Sequence, residues 1–128
     1  MPSLITNNIK ISAESKYQPE HSSPSQQHFL YAYDIVVQNH GDQPVKLLSR
    51  IWFVTDSLAG TKEIEGAGVV GQCPVILPGQ SFTYQSWCPL ISEIGRMEGL
   101  FYMQSMETLD RFEVIIPSFE LVAAPKLN

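Results

Sequence analysis

Charged side chains are scarce in this chain of 128 residues, where they make up only 16% of the sequence, against about 25% in a typical soluble domain. The 8 basic residues do not cluster, and the 13 acidic residues leave a formal net charge of −5. A protein that binds nucleic acid or an anionic membrane needs a basic patch, which this sequence lacks. We therefore expect neither nucleic acid nor membrane among its partners.

Long apolar runs are also missing, and none approaches the ~20 residues that a bilayer span requires. The first ten residues have neither the basic nor the apolar region of a secretory signal. The only cysteines are Cys73 and Cys88, and without a secretory signal both are expected to be reduced. We therefore expect a soluble cytoplasmic protein without a disulfide.

Apolar residues nevertheless make up 44% of the chain, enough for one packed core, and the length fits a single domain over residues 1–128. They recur at every second position, which predicts strands rather than helices. We expect residues 1–5 and 123–128 to fray, residues 17–27 to form a loop, and the last strand to end before Pro117. The pattern predicts an all-β fold, an immunoglobulin or fibronectin type III-like β-sandwich of about seven to eight antiparallel strands.

One predicted strand, residues 45–54, is apolar on both faces. Strict alternation places Ile51 and Phe53 in the inter-sheet core and turns Trp52 to the opposite face. We expect that opposite face to be covered by a loop, by the C-terminal tail or by a second copy of the chain in a homodimer.

Three glycines, Gly66, Gly68 and Gly71, match the phosphate-binding pattern G-x-G-x-x-G. That pattern binds a dinucleotide only where it opens a helix after a strand, and Pro74 follows too closely for a helix to grow. Two interpretations stay open. The glycines permit a bulge or tight crossing in a β-rich segment, or the amides of this loop form a site for phosphate, pyrophosphate or a nucleotide.

Other constellations give weaker signals. Asp56, Glu63 and Glu65 could hold a hard divalent cation, although solvated surface charge explains them as well. The histidines lack the spacing of a metal site, and no activated nucleophile is recognisable, so we expect no cofactor and no enzymatic activity. Cys73 and Cys88 are interpreted as small core residues.

Several spaced blocks resemble the ApaG family: residues 31–33, 47–50, 66–71, 95–99 and 116–121. Together they cover nearly the whole chain. The resemblance implies a fibronectin type III-like sandwich and a cytoplasmic protein of undefined biochemistry, associated in bacteria with cobalt and magnesium tolerance. In eukaryotes the domain lies beside F-box and similar modules, which implies protein recognition.

The sequence also departs from the family's pattern. Ile51 and Ala67 stand where the family usually has His and Glu, so the resemblance carries over no metal or catalytic role. We therefore expect a non-enzymatic module that recognises another protein through sheet surface and loops. The alternatives are a small-anion binder at Gly66 to Gly71, and a weak magnesium or cobalt binder at Asp56, Glu63 or Glu65.

Overall fold

The computed structural model describes residues 1–123, and nearly all of its regular structure is antiparallel strand. The strands are β1 Ser3–Thr6, β2 Ile9–Tyr17, β3 Phe29–Asn39, β4 Val45–Asp56, β5 Gly60–Ala67, β6 Val75–Ile76, β7 Ser81–Leu90, β8 Ile94–Ser105 and β9 Arg111–Val122. The predicted loop holds two 3-10 turns, Pro19–His21 and Pro24–Gln26. Within the described residues, no helix is long and apolar enough to cross a membrane.

The strands form two sheets that pack face to face. The first sheet has the order β1-β2-β3-β7, and the second has the order β5-β4-β8-β9, with the short β6 also paired to β4. The predicted all-β sandwich is confirmed. The described residues contain more strands than the seven to eight expected because the sequence pattern did not reveal β1 and β6.

The core consists of alternate residues from the inner faces of both sheets. Its largest fully buried side chains include Ile9, Ile11, Tyr31, Ile35, Leu47, Met97, Phe101, Met103, Ile116 and Leu121. The alternation predicted for β2, β3 and β8 is therefore present in the structure.

A bulge in β4 overturns the prediction that Ile51 and Phe53 lie in the inter-sheet core, since neither belongs to it. Leu47 pairs with Met103 but Ser49 pairs with Tyr102, so Leu48 is an extra residue in this strand. An extra residue exchanges the two faces of a strand for every position beyond it. Trp52 consequently packs in the core with 2% of its surface exposed, whereas Phe53 is only half-buried and faces away from the core.

A second bulge carries the last strand through Pro117, where we expected it to end. Met97 pairs with Phe119 and Gly99 pairs with Ile116, so two residues of β9 lie opposite one residue of β8. Proline is tolerated at such a bulge because the ladder already lacks a regular bond there. The strand continues to Val122, and Phe119 enters the core.

The N-terminus is paired, which corrects the expectation that residues 1–5 fray. β1 pairs with β2 through a hairpin whose two turn residues, Asn7 and Asn8, have φ values of 50° and 66°. Asparagine tolerates this left-handed conformation, which suits a two-residue hairpin turn. At the other end, the Ala123 amide donates to the Glu93 carbonyl at 2.9 Å, and residues 124–128 lie outside the described residues.

The dipeptide Pro78-Gly79 forms the expected turn, but this turn connects the two sheets. The Gln80 amide donates to the Leu77 carbonyl at 2.9 Å, and Gly79 has a φ of +80°, as in a type II turn. Because β6 pairs with β4 and β7 pairs with β3, the two strands do not form a hairpin. Both cysteines are free; Cys88 lies in the core as expected, but Cys73 is exposed, which corrects its interpretation as a core residue.

The bulge in β4 makes a testable distinction between two neighbouring aromatic residues. Trp52→Ala should lower the free energy of unfolding by about 3–5 kcal/mol, because it leaves a cavity in the core. Phe53→Ala should cost less than about 2 kcal/mol, because Phe53 is half-buried outside the core. Urea denaturation of both variants measures the difference; a larger loss for Phe53→Ala would contradict this arrangement.

Candidate functional site

β7 is an edge strand of the first sheet, and β5 is an edge strand of the second sheet. Although β5 pairs with the buried strand β4, all of its residues except Gly66 are exposed. A cleft of about 300 Å³ lies between β5 and β7. Its lining includes Trp52 and Val54 from β4, with Ile64 and Lys62 directly beside them on β5.

The glycine motif forms a tight turn at one end of this cleft. Val69 and Gln72 exchange backbone hydrogen bonds of 2.7 and 2.8 Å around Val70 and Gly71, whose φ values are 42° and 79°. The Gly68 amide donates to the carbonyl of Leu48, the bulge residue of β4, at 2.8 Å. The turn is thus anchored to the bulge, with Val69 buried and Val70 half exposed.

The turn presents carbonyl groups to Arg50. Arg50 Nη1 donates to the Ala67 carbonyl at 3.1 Å and to the Gly68 carbonyl at 2.8 Å. A Cβ atom on Gly66 would lie 2.6 Å from this nitrogen, closer than real Cβ contacts allow. Of the three predicted site glycines, Gly66 therefore makes room for the guanidinium of Arg50, and Gly71 lines the cleft. The amide of Gly68 is not available to an anion, because it already donates to the Leu48 carbonyl.

Two buried polar atoms in the lining residues have no hydrogen-bond partner in the described part of the chain: Trp52 Nε1 and Tyr84 Oη. The Trp52 ring packs edge-on against Tyr33 and Phe119, at centroid distances of 5.4 and 5.9 Å. Leaving such a group unpaired costs about 1–3 kcal/mol, and buried polar groups are paired in the great majority of cases. Two residues with an unpaired buried polar atom line the same cleft, which marks it as a candidate binding site.

The charged groups that line the cleft are both cationic. Arg50 and Lys62 belong to the lining and no carboxylate does; within residues 1–123, neither cation has an ion-pair partner. Burial raises the pKa of Tyr84, and the charge of Arg50 opposes that rise. Burial likewise raises the pKa of Cys88 to about 11, against the charge of Lys62. The cleft is electropositive in an acidic protein, and Cys88 remains a neutral thiol at neutral pH.

Asp56 is buried, and both oxygens of its carboxylate accept hydrogen bonds. The donors are the Leu58 amide at 3.0 Å, the Ile91 amide at 2.8 Å and Ser92 Oγ at 2.6 Å. Burial raises the pKa of Asp56, but the hydrogen bonds outweigh it and the net shift is downward. Asp56 thus connects the turn after β4 to the turn after β7.

The other two candidate cation ligands lie elsewhere. Glu63 and Glu65 are exposed on β5, paired with Phe53 and Ile51, so they share the outer face of the second sheet. Asp56 faces the other way, into its hydrogen-bond network. Across residues 1–123, no group of three or more His, Cys, Asp or Glu side chains could hold a metal ion.

The outer face of the second sheet has a row of apolar residues, which we call the outer apolar row: Ile51, Leu100 and Ile115. These residues are direct neighbours across β4, β8 and β9. Ile115 is 49% exposed, and neighbouring Tyr102 on β8 is 39% exposed. Acidic residues on the same face surround the row: Glu63, Glu65, Glu98 and Glu113.

The strand order of the two packed sheets places this chain in the class of small β-sandwich proteins. A family model for the ApaG domain matches residues 19–105. Protein ApaG of Acidithiobacillus ferrooxidans is 47% identical over 116 residues, or 91% of each chain, and that of Pseudomonas aeruginosa is 38% identical over 120 residues, or 94% of each. The chain belongs to the ApaG family, whose biochemical role is undefined.

Solved structures agree with this assignment. A crystal structure from Bordetella pertussis, described as an ApaA protein, is 38% identical, with a TM-score of 0.88 over 92% of this chain and 95% of that one. The X-ray structure of another structural-genomics target is 36% identical, with a TM-score of 0.87 over 94% and 91%. A protein from Archaeoglobus fulgidus, 9% identical with a TM-score of 0.52, shares the fold alone.

Sequence reasoning missed most of the cleft. Alternation along β4 predicts Trp52 on the face opposite the core, and nothing in the sequence marks Tyr84, because an unpaired polar atom leaves no trace in a sequence pattern. Lys62 was not singled out at all. The sequence does place a cation, Arg50, close to Trp52 and a glycine at position 66, which together could have indicated a binding site. Arg50 and Gly66 are neighbours only in the strand register that the bulge sets, however, and the sequence does not reveal that register.

The two glycines of the turn allow a matched pair of substitutions. Gly68→Ala should destabilise the fold by about 1–3 kcal/mol more than Gly71→Ala. Both positions have positive φ, but a Cβ at Gly68 would overlap the carbonyl oxygen of Gln72, whereas nothing lies within 4 Å of one at Gly71. If urea denaturation showed equal losses of unfolding free energy for the two variants, the close approach of Gly68 to the Gln72 carbonyl would be contradicted.

Asp56 should contribute stability that depends on pH. Because its pKa is lowered on folding, this contribution is present above its ordinary pKa of 3.8 and disappears as the pH falls through the folded value. Asp56→Asn should therefore cost about 1–3 kcal/mol at pH 7, and the difference from wild type should shrink in acid. Glu63→Gln is the control, expected within about 0.5 kcal/mol of wild type; a loss for Asp56→Asn that does not change with pH would contradict the role of the carboxylate.

Proposed function

We propose that this ApaG-family protein is a non-enzymatic recognition module that binds another protein through the outer face of its second sheet. The observation that supports it is the outer apolar row on the outer face of the second sheet, where Ile115 is exposed, Leu100 is partly exposed and Ile51 is buried beneath its neighbours. Exposed Tyr102 adds an aromatic ring beside the row, and aromatic residues are enriched at protein interfaces. An apolar centre inside a polar rim is the usual anatomy of an interface.

The rim indicates the chemistry of the partner. Glu63, Glu65 and Glu113 are exposed around the row, and Arg96 on this face lies 3.9 Å from Glu98. Lys46 and Arg111 are on the same face, where both pair with Gln104 beyond Tyr102. An acidic rim attracts a basic surface and repels an acidic one. We therefore infer that the partner has an apolar ridge flanked by Lys or Arg, and that binding weakens as salt is added.

The same rim disfavours a homodimer formed by this face. A two-fold contact places identical patches together, so the acidic rims of two copies would meet. The sequence-based argument for a dimer relied on Trp52 at the surface, but Trp52 is in the core. A different protein fits this face better than a second copy does.

Two groups that could have served in catalysis have other roles in the structure. The Cys88 thiol is buried, and its raised pKa keeps it protonated at neutral pH, so it is a poor nucleophile. The Asp56 carboxylate accepts hydrogen bonds from Leu58, Ile91 and Ser92, which leaves it badly placed to act as a general base. Both observations support a binding role.

The experiment compares two exposed apolar positions. Ile115→Arg adds a like charge where a basic partner should bind, and Ile91→Arg makes the same change in the turn after β7, outside the second sheet, at a position of similar exposure, 44% against 49%. After cross-linking in cells, quantitative mass spectrometry should show at least about tenfold less captured partner with Ile115→Arg. Ile91→Arg should match wild type.

Two results would argue against this face. Equal capture by Ile115→Arg and wild type would mean that the partner binds elsewhere. Light scattering that shows twice the chain mass in wild type, and the single mass in Ile115→Arg, would identify a second copy as the occupant. Circular dichroism confirms that both variants fold, so that a loss of capture reports on the surface.

A further inference from the structure

We propose that the cleft between β5 and β7 binds a small organic anion, with a carboxylate or phosphate group held by side chains and an apolar body lying against the core. The site uses none of the residues of the outer apolar row, so it is independent of the recognition function proposed above. It also differs from an amide site in the glycine loop, since the groups that would bind the ligand are side chains of β4, β5 and β7.

The polar groups of the cleft favour an acceptor. An indole Nε1 can only donate a hydrogen bond, as can a guanidinium or an ammonium, and a tyrosine hydroxyl can donate as well. Trp52 Nε1 and Tyr84 Oη are buried without a partner in the described residues. Both residues line the cleft beside Arg50 and Lys62, and no carboxylate of the described residues lines it. Two cations attract an oxyanion, and the two unpaired donors are buried in residues of the same lining.

Arg50 is held in place before any ligand arrives. Its Nη1 atom donates to the carbonyls of Ala67 and Gly68, and the guanidinium lies against Gly66, where no Cβ intervenes. Within residues 1–123, its other two nitrogens donate to no side chain or backbone group. A guanidinium fixed in this way loses little freedom when it binds, which strengthens binding.

The rest of the lining indicates the body of the ligand. Val54, Ile64 and Met97 give the cleft apolar walls, and half-exposed Trp87 also lines it. The volume of about 300 Å³ is at the lower end of the range for small-molecule sites. A second cavity of about 260 Å³ shares Val54, Lys62 and Pro89 with the first. Because Asp56 also lines that cavity, it gives room for an uncharged part of a longer ligand and not for a second anionic group.

The test observes Trp52 Nε1 directly by NMR. In the ¹⁵N-labelled protein, the two tryptophans give two indole signals, and Trp87→Phe assigns the remaining one to Trp52. Benzoate and phenyl phosphate supply an oxyanion on an aromatic body, inorganic phosphate supplies the oxyanion alone, and phenol supplies the body alone. We expect benzoate or phenyl phosphate to shift the Trp52 signal downfield with saturation, inorganic phosphate to bind more weakly, and phenol to have no such effect.

Three variants identify the groups responsible. Lys62→Met should weaken binding of the better probe by about tenfold, whereas Arg96→Met, which removes the same charge from the outer face, should leave it unchanged. Tyr84→Phe should weaken binding and also raise the melting temperature of the free protein, because it removes a buried hydroxyl that has no partner. A purely structural role for Tyr84 would not produce opposite changes in stability and affinity.

The results that overturn the proposal are specific. No shift of the Trp52 signal with any of the three anions up to about 10 mM would rule out the site. An equal shift with phenol and benzoate would show an apolar cavity with no preference for charge, and affinity unchanged by Lys62→Met and Tyr84→Phe would place the anion elsewhere. None of these results affects the capture experiment at Ile115.

Discussion

The single extra residue at Leu48 is the constraint on which the rest of the structure depends. Beyond it, β4 directs even-numbered side chains inward, so Arg50, Trp52 and Asp56 reach the interior side of the sheet. The Leu48 carbonyl also accepts the Gly68 amide and thereby fixes the glycine turn beside Arg50. Without the bulge, alternation would exchange the residues of the cleft with those of the outer face.

One strand therefore supplies both proposed surfaces from opposite faces. Ile51 belongs to the outer apolar row, while its neighbours Arg50 and Trp52 line the cleft. The two surfaces have opposite character, since acidic residues surround the row and cations line the cleft. Because neighbouring residues of one strand point to opposite sides of the sheet, a domain with a single core can present two separate binding surfaces.

Regular alternation made the sandwich predictable from sequence, because the buried faces of β2, β3 and β8 repeat every second residue. The failures occurred where a backbone irregularity shifted that repeat. Phe53 was assigned to the core because no sequence pattern marks an extra residue at Leu48, and β9 was ended at Pro117 because proline usually interrupts a strand. The glycine motif was interpreted as a bulge or tight crossing or as an amide site for an anion, and the structure has a tight turn there. The hydrogen bonds of the amides depend on which strand this turn packs against. Predicting the cleft would require knowing that β5 and β7 are neighbours in space, and a local sequence pattern does not contain that information.

The open edge of β5 also bears on solubility. A sheet edge with unpaired backbone groups can recruit another strand and start aggregation, and charged residues on the edge are a common protection. β5 has Lys62, Glu63 and Glu65 within eight residues, and their charges must remain solvated. Of these charges only Lys62 lines the cleft, since Glu63 and Glu65 are on the outer face of the sheet. One short stretch of sequence thus combines charges that protect a sheet edge with a cation of the cleft.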